Sequence, residues 1–496
     1  MANDRVLTDI GPEGLVDWYA INWHAVQKRV RNLRRRIFRA TQNKQWKLVR
    51  NLSKLMLRSF SNLLLSVKRV TQLNKGKRTP GVDSQVALSP KSRVKLAHEM
   101  LKYKTWKVAP AKRVYIPKSD GKQRPLGILT IKNRTAQAIV KNALEPYCEA
   151  LFESHSYGFR PGRSAHDAIE QCWRRLNRHC KDRWILDADI KSAFDSISQD
   201  FILSKLKFFP ARGLIKQWLK AGYMEKEIFH DTTTGVQQGG IVSPVLANLA
   251  LDGLQELVAG SRGFVRYADD FIVTARTMED LLVLKPLIEK WLAKRGMILH
   301  PDKTKIVHIQ EGFDFLGFNI RQYRGTCLVK PEKKKVLGLL KRVRLWLKSH
   351  PSTTPEFMVR YLNPIINGWA LYYRHAVSKQ AFDYVRHQLW KTVWRWCLRR
   401  HPNKSYRWIK DKYFTYHDGQ DWRFYANIRT SNGIVCREYF ADPSKIPIQR
   451  HIKVRGDASP DDPSLGEYWN SRLNRKRSAT KTGRMTATYL HDLLEA

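Results

Sequence analysis

The sequence is short of acidic residues, has few cysteines and contains no long apolar run. Asp and Glu number 44 against 90 Lys and Arg, a formal charge of +46, so a polyanionic partner such as nucleic acid is expected. The six cysteines are scattered without a C-x-x-C pair, which argues against a zinc ribbon or a disulfide scaffold. No apolar run approaches the roughly 18 residues of a membrane span, and the first residues lack the layout of a signal peptide. We therefore expect a soluble protein of a bacterial cytoplasm or an organelle interior, without a membrane partner.

Aromatic and aliphatic residues are abundant despite this charge. Hydrophobic residues make up 43% of the 496, and the 16 Trp, 19 Tyr and 19 Phe provide material for large buried cores, which excludes a disordered basic tail. Between about 80 and 325, helical patterns alternate with short strands rich in Val, Ile, Phe and Tyr, whereas the flanking regions show helical periodicity. The chain should therefore fold as several domains, of which the central one is α+β.

The N-terminal region is predicted to contain a strongly basic amphipathic helix. Apolar residues recur at helical spacing at Trp23, Val26, Val30, Leu33 and Ile37. The remaining faces are crowded with basic side chains, namely Lys28, Arg29, Arg31, Arg34, Arg35, Arg36 and Arg39. Such a surface is either simply solvated or binds phosphate groups, and the density of charge favours phosphate. The candidate phosphate contacts are Arg29, Arg34, Arg35 and Arg36.

Two segments place acidic side chains at the ends of apolar strands. Tyr267-Ala268-Asp269-Asp270 lies between the apolar runs GFV and FIVTA, as expected for two carboxylates at the tip of a β-hairpin. Acidic pairs are also common in ordinary turns, so this one alone is ambiguous. Upstream, WILDADIKSAFDSI puts Asp189 at the end of another apolar strand. Three such carboxylates suit nucleotidyl transfer, in which two Mg²⁺ ions about 3.5 to 4 Å apart activate a 3′-hydroxyl and stabilise the leaving pyrophosphate.

These two segments resemble the palm motifs of reverse transcriptases. The resemblance implies a right-hand polymerase fold with fingers and palm, two Mg²⁺ ions and dNTP substrates. It makes Asp189, Asp269 and Asp270 the metal-site carboxylates, and the backbone carbonyl of Ile190 should assist them. It also makes Phe194 the steric gate against a 2′-hydroxyl, although an ordinary core aromatic is the alternative.

The segment between the two carboxylate motifs, GVQQGGIVSPVLANLALD, has a Gly-Gly pair before a predicted helix. It resembles the Pro-Gln-Gly-Gly motif that packs beneath the incoming nucleotide, with Gln237 in place of the usual Pro. Gln238, Gly239 and Gly240 are retained, and glycine suits a backbone that a nucleotide must approach closely. We expect Gln238 and Gly239 to contact the nucleotide.

Basic residues in two further segments resemble contacts to the triphosphate. VYIPKSDGKQRPLGI presents Lys118 and Arg124 on a predicted fingers hairpin. Downstream, LHPDKTKIVHIQEGFDFLGF resembles the last palm motifs, in which a lysine near the β-phosphate protonates the leaving group. Lys303 is the choice for that role and Lys305 the alternative, and either is otherwise a surface lysine.

The flanking regions resemble those of group II intron-encoded proteins. SYGFRPGRSAHDAI, residues 156–169, and the basic N-terminal extension belong to this resemblance. LNPIINGWALYYRH, residues 362–375, is similar to the maturase domain, also called domain X, which serves as the thumb. The resemblance implies binding to the protein's own intron RNA to assist splicing, and copying of that RNA into DNA at a target site. It assigns RNA contacts to the N-terminal arginines, to Arg374 and to Arg395 in a later helix.

The predicted architecture has four parts. These are a basic helical N-terminal extension (1–75), the fingers and palm (76–328), an α-helical thumb and maturase domain X (329–410), and a small DNA-binding region (411–496). Within the last part, ASPDDPSLGEYWNSR resembles the lead-in to an H-N-H nuclease, but the nuclease pattern itself does not follow. We therefore expect no second-strand cleavage and a pre-existing DNA 3′ end as primer.

Two alternatives stay open at this point. A splicing factor that only stabilises folded RNA would keep the polymerase as a scaffold, but such proteins tend to lose active-site carboxylates, and all three are present here. A reverse transcriptase of defence or sequence diversification would need no intron, and the maturase-like segment argues against it. The intron subclass, the DNA target and the oligomeric state are not determined by the sequence.

Overall fold

A computed structural model describes residues 17–101, 108–117, 121, 123–260, 262–429 and 435–481 of the chain. Contacts group the chain into two compact units. The first comprises the chain up to Ser164, Ile185–Ile306 and the chain from Val454 onward, and the second comprises Ala165–Trp184 and Val307–Lys453. The chain returns to the first unit after residue 453, and the four consecutive segments expected from the sequence stay a prediction.

The N-terminal part of the first unit is helical, as the sequence indicated. Its helices are α1 (Trp23–Gln42), α2 (Trp46–Arg58), α3 (Phe60–Lys68) and α4 (Pro90–Leu101). The side chain of Asn22 caps α1 by accepting a hydrogen bond from the backbone N–H of Ala25 at 3.0 Å. The face predicted to be apolar is the buried one, with Val26, Val30 and Ile37 inside.

Two four-stranded sheets follow, with helices between their strands. The elements in chain order are β1 (Ala111–Pro117), β2 (Gln123–Ile128), α5 (Ile131–Glu149), α6 (Ala165–Leu176), β3 (Trp184–Asp189), α7 (Ala193–Ser196), α8 (Gln199–Lys205), α9 (Arg212–Leu219), β4 (Tyr223–Glu225), β5 (Ile228–His230), α10 (Ser243–Leu251), α11 (Leu254–Val258), β6 (Gly263–Tyr267), β7 (Asp270–Ala275), α12 (Met278–Ala293) and β8 (Lys305–His308). One sheet has the order β2-β1-β4-β5 and the other the order β6-β7-β3-β8. Helix α6 belongs to the second unit.

The sheet of order β6-β7-β3-β8 positions the acidic residues. Strands β6 and β7 form an antiparallel hairpin. Their side chains, among them Val265, Phe271, Ile272 and Val273, are buried on both faces of the sheet, which explains why the sequence shows continuous apolar runs instead of alternation. Strand β3 lies next to β7, so its last residue, Asp189, is on the strand adjacent to the hairpin.

The second unit combines small sheets with a helical bundle. The remaining elements are β9 (Phe313–Phe315), β10 (Phe318–Tyr323), β11 (Thr326–Pro331), α13 (Lys333–Ser349), α14 (Pro355–Tyr373), α15 (Lys379–Arg400), α16 (Tyr406–Tyr413), β12 (Phe414–His417), β13 (Gln420–Arg429), β14 (Val435–Tyr439) and α17 (Gly466–Lys481). Of these, α17 belongs to the first unit. The apolar stripe of α15 from Phe382 to Trp396 is buried, and much of it joins Leu340 and Met358 in one core. Of the helices that the structure describes, none is both long and apolar enough to cross a membrane.

Candidate active site

The acidic turn predicted at residues 267–270 is the tip of the β6–β7 hairpin. Tyr267 and Asp270 pair across the hairpin, so Ala268 and Asp269 form a two-residue turn. Ala268 has a φ of +59°, a left-handed conformation that is usual for glycine and strained for alanine. The turn thus places Asp269 at its apex and Asp270 at the first position of β7.

Asp189, Asp269 and Asp270 converge at this end of the sheet. The side chains of Asp189 and Asp270 lie close enough for Asp189 to raise the pKa of Asp270. Burial raises the pKa of Asp270 to about 7, and the charges of Asp269 and Asp189 add to the rise. Burial also raises the pKa of Asp269, with a further contribution from Asp189 that a backbone hydrogen bond opposes. The three carboxylates therefore repel one another, and a cation or a proton is needed to relieve that repulsion.

Lys303 supplies one such cation. Its Nζ donates a hydrogen bond to Oδ2 of Asp189, and this bond raises the pKa of Lys303 above its ordinary value. The Lys303 side chain is 62% exposed, so its contact with Asp189 lies at the open edge of the site. Exchanging Asp189 for another anionic partner there costs little free energy. Lys305, the alternative from the sequence, begins β8 with an exposed side chain.

The backbone beside Asp189 is held by an antiparallel bridge between Ile190 and Leu299. The N–H of His300 donates to the carbonyl of Asp189 at 2.8 Å, and the N–H of Lys191 donates to the carbonyl of Ile298 at 3.0 Å. The two hydrogen bonds involve the carbonyl of Asp189 and the N–H of Lys191, which flank Ile190. The carbonyl of Ile190 itself therefore takes no part in this bridge.

The donor set fits a divalent cation. Carboxylates and backbone carbonyls are the hard oxygen ligands that Mg²⁺ prefers, and a cation would offset the burial and the neighbouring charges that raise the pKa of Asp270. Over the described ranges, no group of three or more His, Cys, Asp or Glu side chains is arranged so that it could hold a metal ion. The ammonium of Lys303 contacts Oδ2 of Asp189, so this carboxylate would have to release Lys303 before it could bind a metal ion through that oxygen.

The glycine loop predicted to lie under the nucleotide packs against strand β2. The N–H of Gly127 donates to the carbonyl of Gln238 at 2.7 Å. Gly239 has a φ of +103°, and a Cβ there would lie 2.7 Å from the carbonyl oxygen of Gly127. A larger residue would therefore be strained and would also push the loop off the strand. At its far end the loop is tied to α5, because the N–H of Ile241 donates to Oε1 of Gln137 at 2.7 Å.

A relay of polar side chains joins β2 to the segment after Asp189. Nε of Arg124 donates to Oε1 of Gln238 at 3.0 Å, and Nε2 of Gln238 donates to Oδ2 of Asp195 at 2.9 Å. Two of the predicted nucleotide contacts, Arg124 and Gln238, are thus in direct contact. Lys118, a third, lies outside the described residues.

Phe194, the predicted steric gate, is 9% exposed. Its carbonyl accepts a hydrogen bond from the N–H of Val236 at 2.6 Å, which ties it to the glycine loop. Its ring lines a cavity of about 380 Å³ that Asp195 and Gln238 also line. The structure therefore places Phe194 beside the Arg124–Gln238 relay.

Sequence reasoning missed the buried polar residues behind the turn. Arg266 of β6 is wholly buried, and its Nη1 donates to Oδ1 of Asn248 at 2.9 Å and to the carbonyl of Ala268 at 3.3 Å. Its Nε and Nη2 donate to Oε1 of Glu153 at 3.1 and 3.0 Å. The sequence feature that could have indicated them is the single arginine inside the apolar run GFVRY. A charged side chain in a buried strand needs polar partners.

The N-terminal arginines proposed for phosphate contact differ in their surroundings. Arg29 and Arg36 are exposed and Arg35 is half-buried. Nη2 of Arg34 instead lies 2.9 Å from Oε2 of Glu145 and 2.6 Å from Oδ2 of Asp461. Burial alone would lower the pKa of Arg34, but these two carboxylates raise it above its ordinary value. Arg34 is therefore part of an ion-pair network, and its contact with RNA stays a prediction.

In the second unit, Arg395 is exposed on α15. Arg374, which follows α14, is 8% exposed, and burial lowers its pKa. Arg374 therefore exposes little surface, and its contact with RNA stays a prediction.

Comparison with known proteins decides the family. The profile of the N-terminal domain of reverse transcriptase matches residues 18–100, that of reverse transcriptase (RNA-dependent DNA polymerase) matches 116–320, and that of the group II intron maturase-specific domain matches 336–414. Protein YkfC of Escherichia coli strain K12 is 31% identical over 310 residues, which cover 53% of this chain and 81% of YkfC. The chain belongs to the group II intron reverse transcriptase and maturase family.

Two further relatives of this reverse transcriptase are intron-encoded or maturase-like proteins. Group II intron-encoded protein LtrA of Lactococcus lactis subsp. cremoris is 29% identical over 334 residues, which cover 53% of this chain and 55% of LtrA. Maturase-like protein 1 of Euglena gracilis is 24% identical over 369 residues, covering 71% of this chain and 77% of that protein. The alignment therefore spans about half the length of LtrA and most of YkfC and the Euglena protein.

The family assignment confirms the predicted reverse transcriptase fold with its helical N-terminal region, and the RNA-directed DNA polymerase class of the enzyme. Its proteins act in intron splicing and mobility. The reverse transcriptase domain implies dependence on divalent metal and dNTP substrates, and the maturase domain implies binding to intron RNA.

Proposed function

We propose that this reverse transcriptase copies its intron RNA at a site formed by Asp189, Asp269 and Asp270, with two Mg²⁺ ions and dNTPs. The observation that carries the assignment is the convergence of these carboxylates, in which burial and mutual repulsion raise the pKa of Asp270 to about 7. Divalent cations bound there would activate the primer 3′-hydroxyl and stabilise the leaving pyrophosphate. The carbonyl of Ile190 is proposed as a further ligand, which is supported by its absence from the hydrogen bonds of the adjacent bridge.

Lys303 is proposed to protonate the leaving pyrophosphate. Its hydrogen bond to Asp189 keeps the ammonium protonated, and its exposed side chain can exchange that carboxylate for a phosphate oxygen. A positive charge at this position also neutralises the repulsion among the carboxylates before substrate binds.

The incoming dNTP is proposed to lie against the Arg124–Gln238 relay, with Gly239 allowing close approach of the backbone and Phe194 meeting the sugar. The support is the direct hydrogen bond of Arg124 to Gln238 and the closeness of Phe194 to the same loop. Lys118 is proposed from the family resemblance as a second contact to the triphosphate.

The proposed active site is tested with Asp269→Ala. We expect the variant to lose dNTP incorporation on a primed RNA template while it keeps its affinity for intron RNA, because the change removes charge only at the turn. Asp200→Asn is the matched control, since Asp200 is an exposed carboxylate in the first turn of α8. Incorporation by Asp269→Ala at the wild-type rate would reject the assignment and leave an RNA-binding splicing factor as the better description.

Intron RNA is proposed to bind along the exposed basic residues of α1 and α15. Arg29, Arg35, Arg36 and Arg395 supply the contacts, and the exposure of Arg29, Arg36 and Arg395 supports this assignment. Contacts of this kind go mainly to phosphates, so the protein would recognise the shape of the folded RNA more than its sequence. Splicing of the native intron RNA with and without protein tests the role, and equal splicing rates would reject it.

Target DNA is proposed to bind the region that contains β12, β13 and β14. Tyr416 is exposed in this sheet, and Arg437 lies beside Tyr425 with its guanidinium 5.0 Å from the ring centre, a pairing suited to a nucleic-acid surface. Arg437→Ala should weaken binding of target duplex and leave binding of intron RNA unchanged. We place this activity in a bacterial cytoplasm or an organelle interior, where an intron transcript meets its DNA target.

A further inference from the structure

The loop Ser156–Arg163 runs alongside the strand that leads into the acidic turn. The N–H of Arg266 donates to the carbonyl of His155 at 2.9 Å, and the N–H of Tyr157 donates to the carbonyl of Arg266 at 2.8 Å. Ser156 and Arg266 thereby form a parallel bridge. The loop therefore begins as a short added strand beside β6.

Gly158 fixes the next part of this loop on the turn itself. A Cβ at Gly158 would collide with the backbone nitrogen of Ala268 and lie 3.0 Å from the carbonyl carbon of Tyr267. From the other side, Nδ2 of Asn248 donates to the carbonyl of Gly158 at 2.9 Å. The loop backbone is therefore held between the turn and α10.

Arg160 fixes the loop two residues later. Its Nε and Nη2 donate to the two carboxylate oxygens of Glu149 at 2.9 and 3.0 Å. Its Nη1 donates to the carbonyls of Glu153 and Ser156 at 2.5 and 3.0 Å. A buried, bidentate arginine of this kind leaves little freedom in the backbone that carries it.

Phe159 lies between these two anchored residues, and its conformation is unfavourable in two ways. Its φ is +59°, a left-handed conformation that is strained for a bulky side chain, and the residue is 47% exposed. Glycine would adopt the same backbone without strain and without exposing an aromatic ring. A purely structural role for this position would therefore favour glycine, so the ring itself has a use.

The ring of Phe159 contacts the proposed steric gate. Its centroid lies 6.2 Å from that of Phe194, and the two ring planes are at 87°, which is the favourable edge-to-face arrangement. The main chain of Phe194 is already held by the bond from Val236, so the remaining freedom of Phe194 is rotation of its side chain. A neighbouring aromatic edge restricts that rotation.

We propose that Phe159 is a positioning residue that sets the selectivity of the enzyme for deoxyribonucleotides, because it holds the Phe194 ring where a 2′-hydroxyl would strike it. The proposal rests on the proposed role of Phe194 as the gate. The loop that carries Phe159 packs on the Ala268 turn next to Asp269, so the residue that contacts the gate is fixed against the turn that carries the carboxylates.

Phe159→Gly tests the proposal without disturbing the fold, because glycine relieves the left-handed strain. The measurement is kcat/KM for a dNTP and for the matching rNTP in single-nucleotide extension of a primed RNA template. We expect the dNTP preference to fall about three- to tenfold, the scale of one aromatic pair, with kcat for dNTP and the melting temperature close to wild type. Phe159→Tyr, which keeps the ring, should retain the preference.

Phe208→Ala is the matched control, since Phe208 is a 73% exposed phenylalanine of the same unit outside this loop. An unchanged dNTP preference in folded Phe159→Gly overturns the proposal, as does an equal fall in Phe208→Ala. Phe159→Asn provides a second variant without the aromatic ring if the glycine lowers the melting temperature, because asparagine also tolerates the left-handed conformation.

The double variant Phe159→Gly with Phe194→Ala separates this proposal from the gate itself. If Phe159 acts through Phe194, the double variant has the same preference as Phe194→Ala alone, and a further fall would overturn the positioning role. If Phe194→Ala leaves the preference unchanged, the gate assignment fails, and this proposal fails with it. A fall in Phe194→Ala without one in Phe159→Gly rejects the positioning role alone.

Discussion

Arg266 and Glu153 form a buried ion pair directly behind the acidic turn, with Nη2 of the arginine 3.0 Å from Oε1 of the glutamate. The same guanidinium donates to the carbonyl of Ala268, the strained residue before Asp269. The pair therefore compensates a buried charge and also supports the backbone that carries the carboxylates. The ion pair contributes to stability because each charge compensates the other inside the protein. Removal of one partner leaves an uncompensated buried charge and should lower the free energy of unfolding.

Glu153→Gln should lower the free energy of unfolding by about 3 to 5 kcal/mol, because it leaves the Arg266 guanidinium buried without its counter-charge. Urea denaturation measures this change. Glu289→Gln is the control, since the Lys285–Glu289 pair is exposed and spans 3.9 Å, and such pairs contribute about 0.3 to 0.5 kcal/mol. Equal losses in the two variants would contradict the assigned difference between the pairs.

Gly158→Ala should reduce kcat for dNTP incorporation at least tenfold, because the new Cβ would push against the backbone of Ala268 and displace Asp269. Steady-state extension of a primed RNA template gives kcat. Gly213→Ala provides the control: a Cβ there meets no atom within 4 Å, and the position is inside α9. Wild-type kcat in Gly158→Ala would show that the turn tolerates displacement.

The ion-pair network of Arg34 predicts how stability depends on pH. Burial alone would raise the pKa of Glu145, but Lys141 and Arg34 lower it from 4.5 to about 2. Burial lowers the pKa of Lys141, whereas the pKa of Arg34 is raised. Arg34 is therefore the partner of Glu145 that more readily keeps its positive charge. A carboxyl group whose pKa is lower in the folded state stabilises the fold above its unfolded pKa, and that contribution is lost as pH falls through the folded pKa.

Wild-type protein should therefore lose about 3 kcal/mol more stability than Glu145→Gln between pH 4.5 and pH 2. Thermal or urea unfolding of both proteins across this range measures the difference. Parallel curves would show that Glu145 has no lowered pKa in the folded state.

The arginines of α1 should separate into RNA-binding and structural residues. Arg36→Ala should weaken binding to intron RNA and reduce the dependence of log affinity on log salt concentration by about one, with an unchanged melting temperature, because Arg36 is exposed. Arg34→Ala should lower the melting temperature, because it leaves Glu145 and Asp461 without their shared partner. The reverse pattern in a filter-binding titration and a melting curve would contradict both assignments.

Local patterns were enough to predict much of this protein. The apolar runs around residues 267–270 predicted the hairpin, the helical spacing from Trp23 predicted α1, and the order of the motifs indicated the family that the comparisons confirm. The apolar stripe from Phe382 to Trp396 likewise identified the buried face of α15. Each of these predictions depends on residues close together in the chain, on the periodicity of apolar residues, or on short motifs that can be identified in the sequence.

The sequence alone could not show which charged side chains are exposed and which form buried ion pairs. Arg36 and Arg34 occupy the same basic helix, yet Arg36 is exposed, whereas Arg34 pairs with carboxylates 111 and 427 residues away. Arg266 and Glu153 are likewise far apart in sequence, and the rings of Phe159 and Phe194 meet only because the fold brings their two segments together. Composition and spacing determined the presence of a polymerase and maturase, whereas tertiary structure decided which arginines are structural and which residues support the acidic turn. The reason is physical: the energy of a charge or an aromatic ring depends on its burial and its partners, and distant segments supply both.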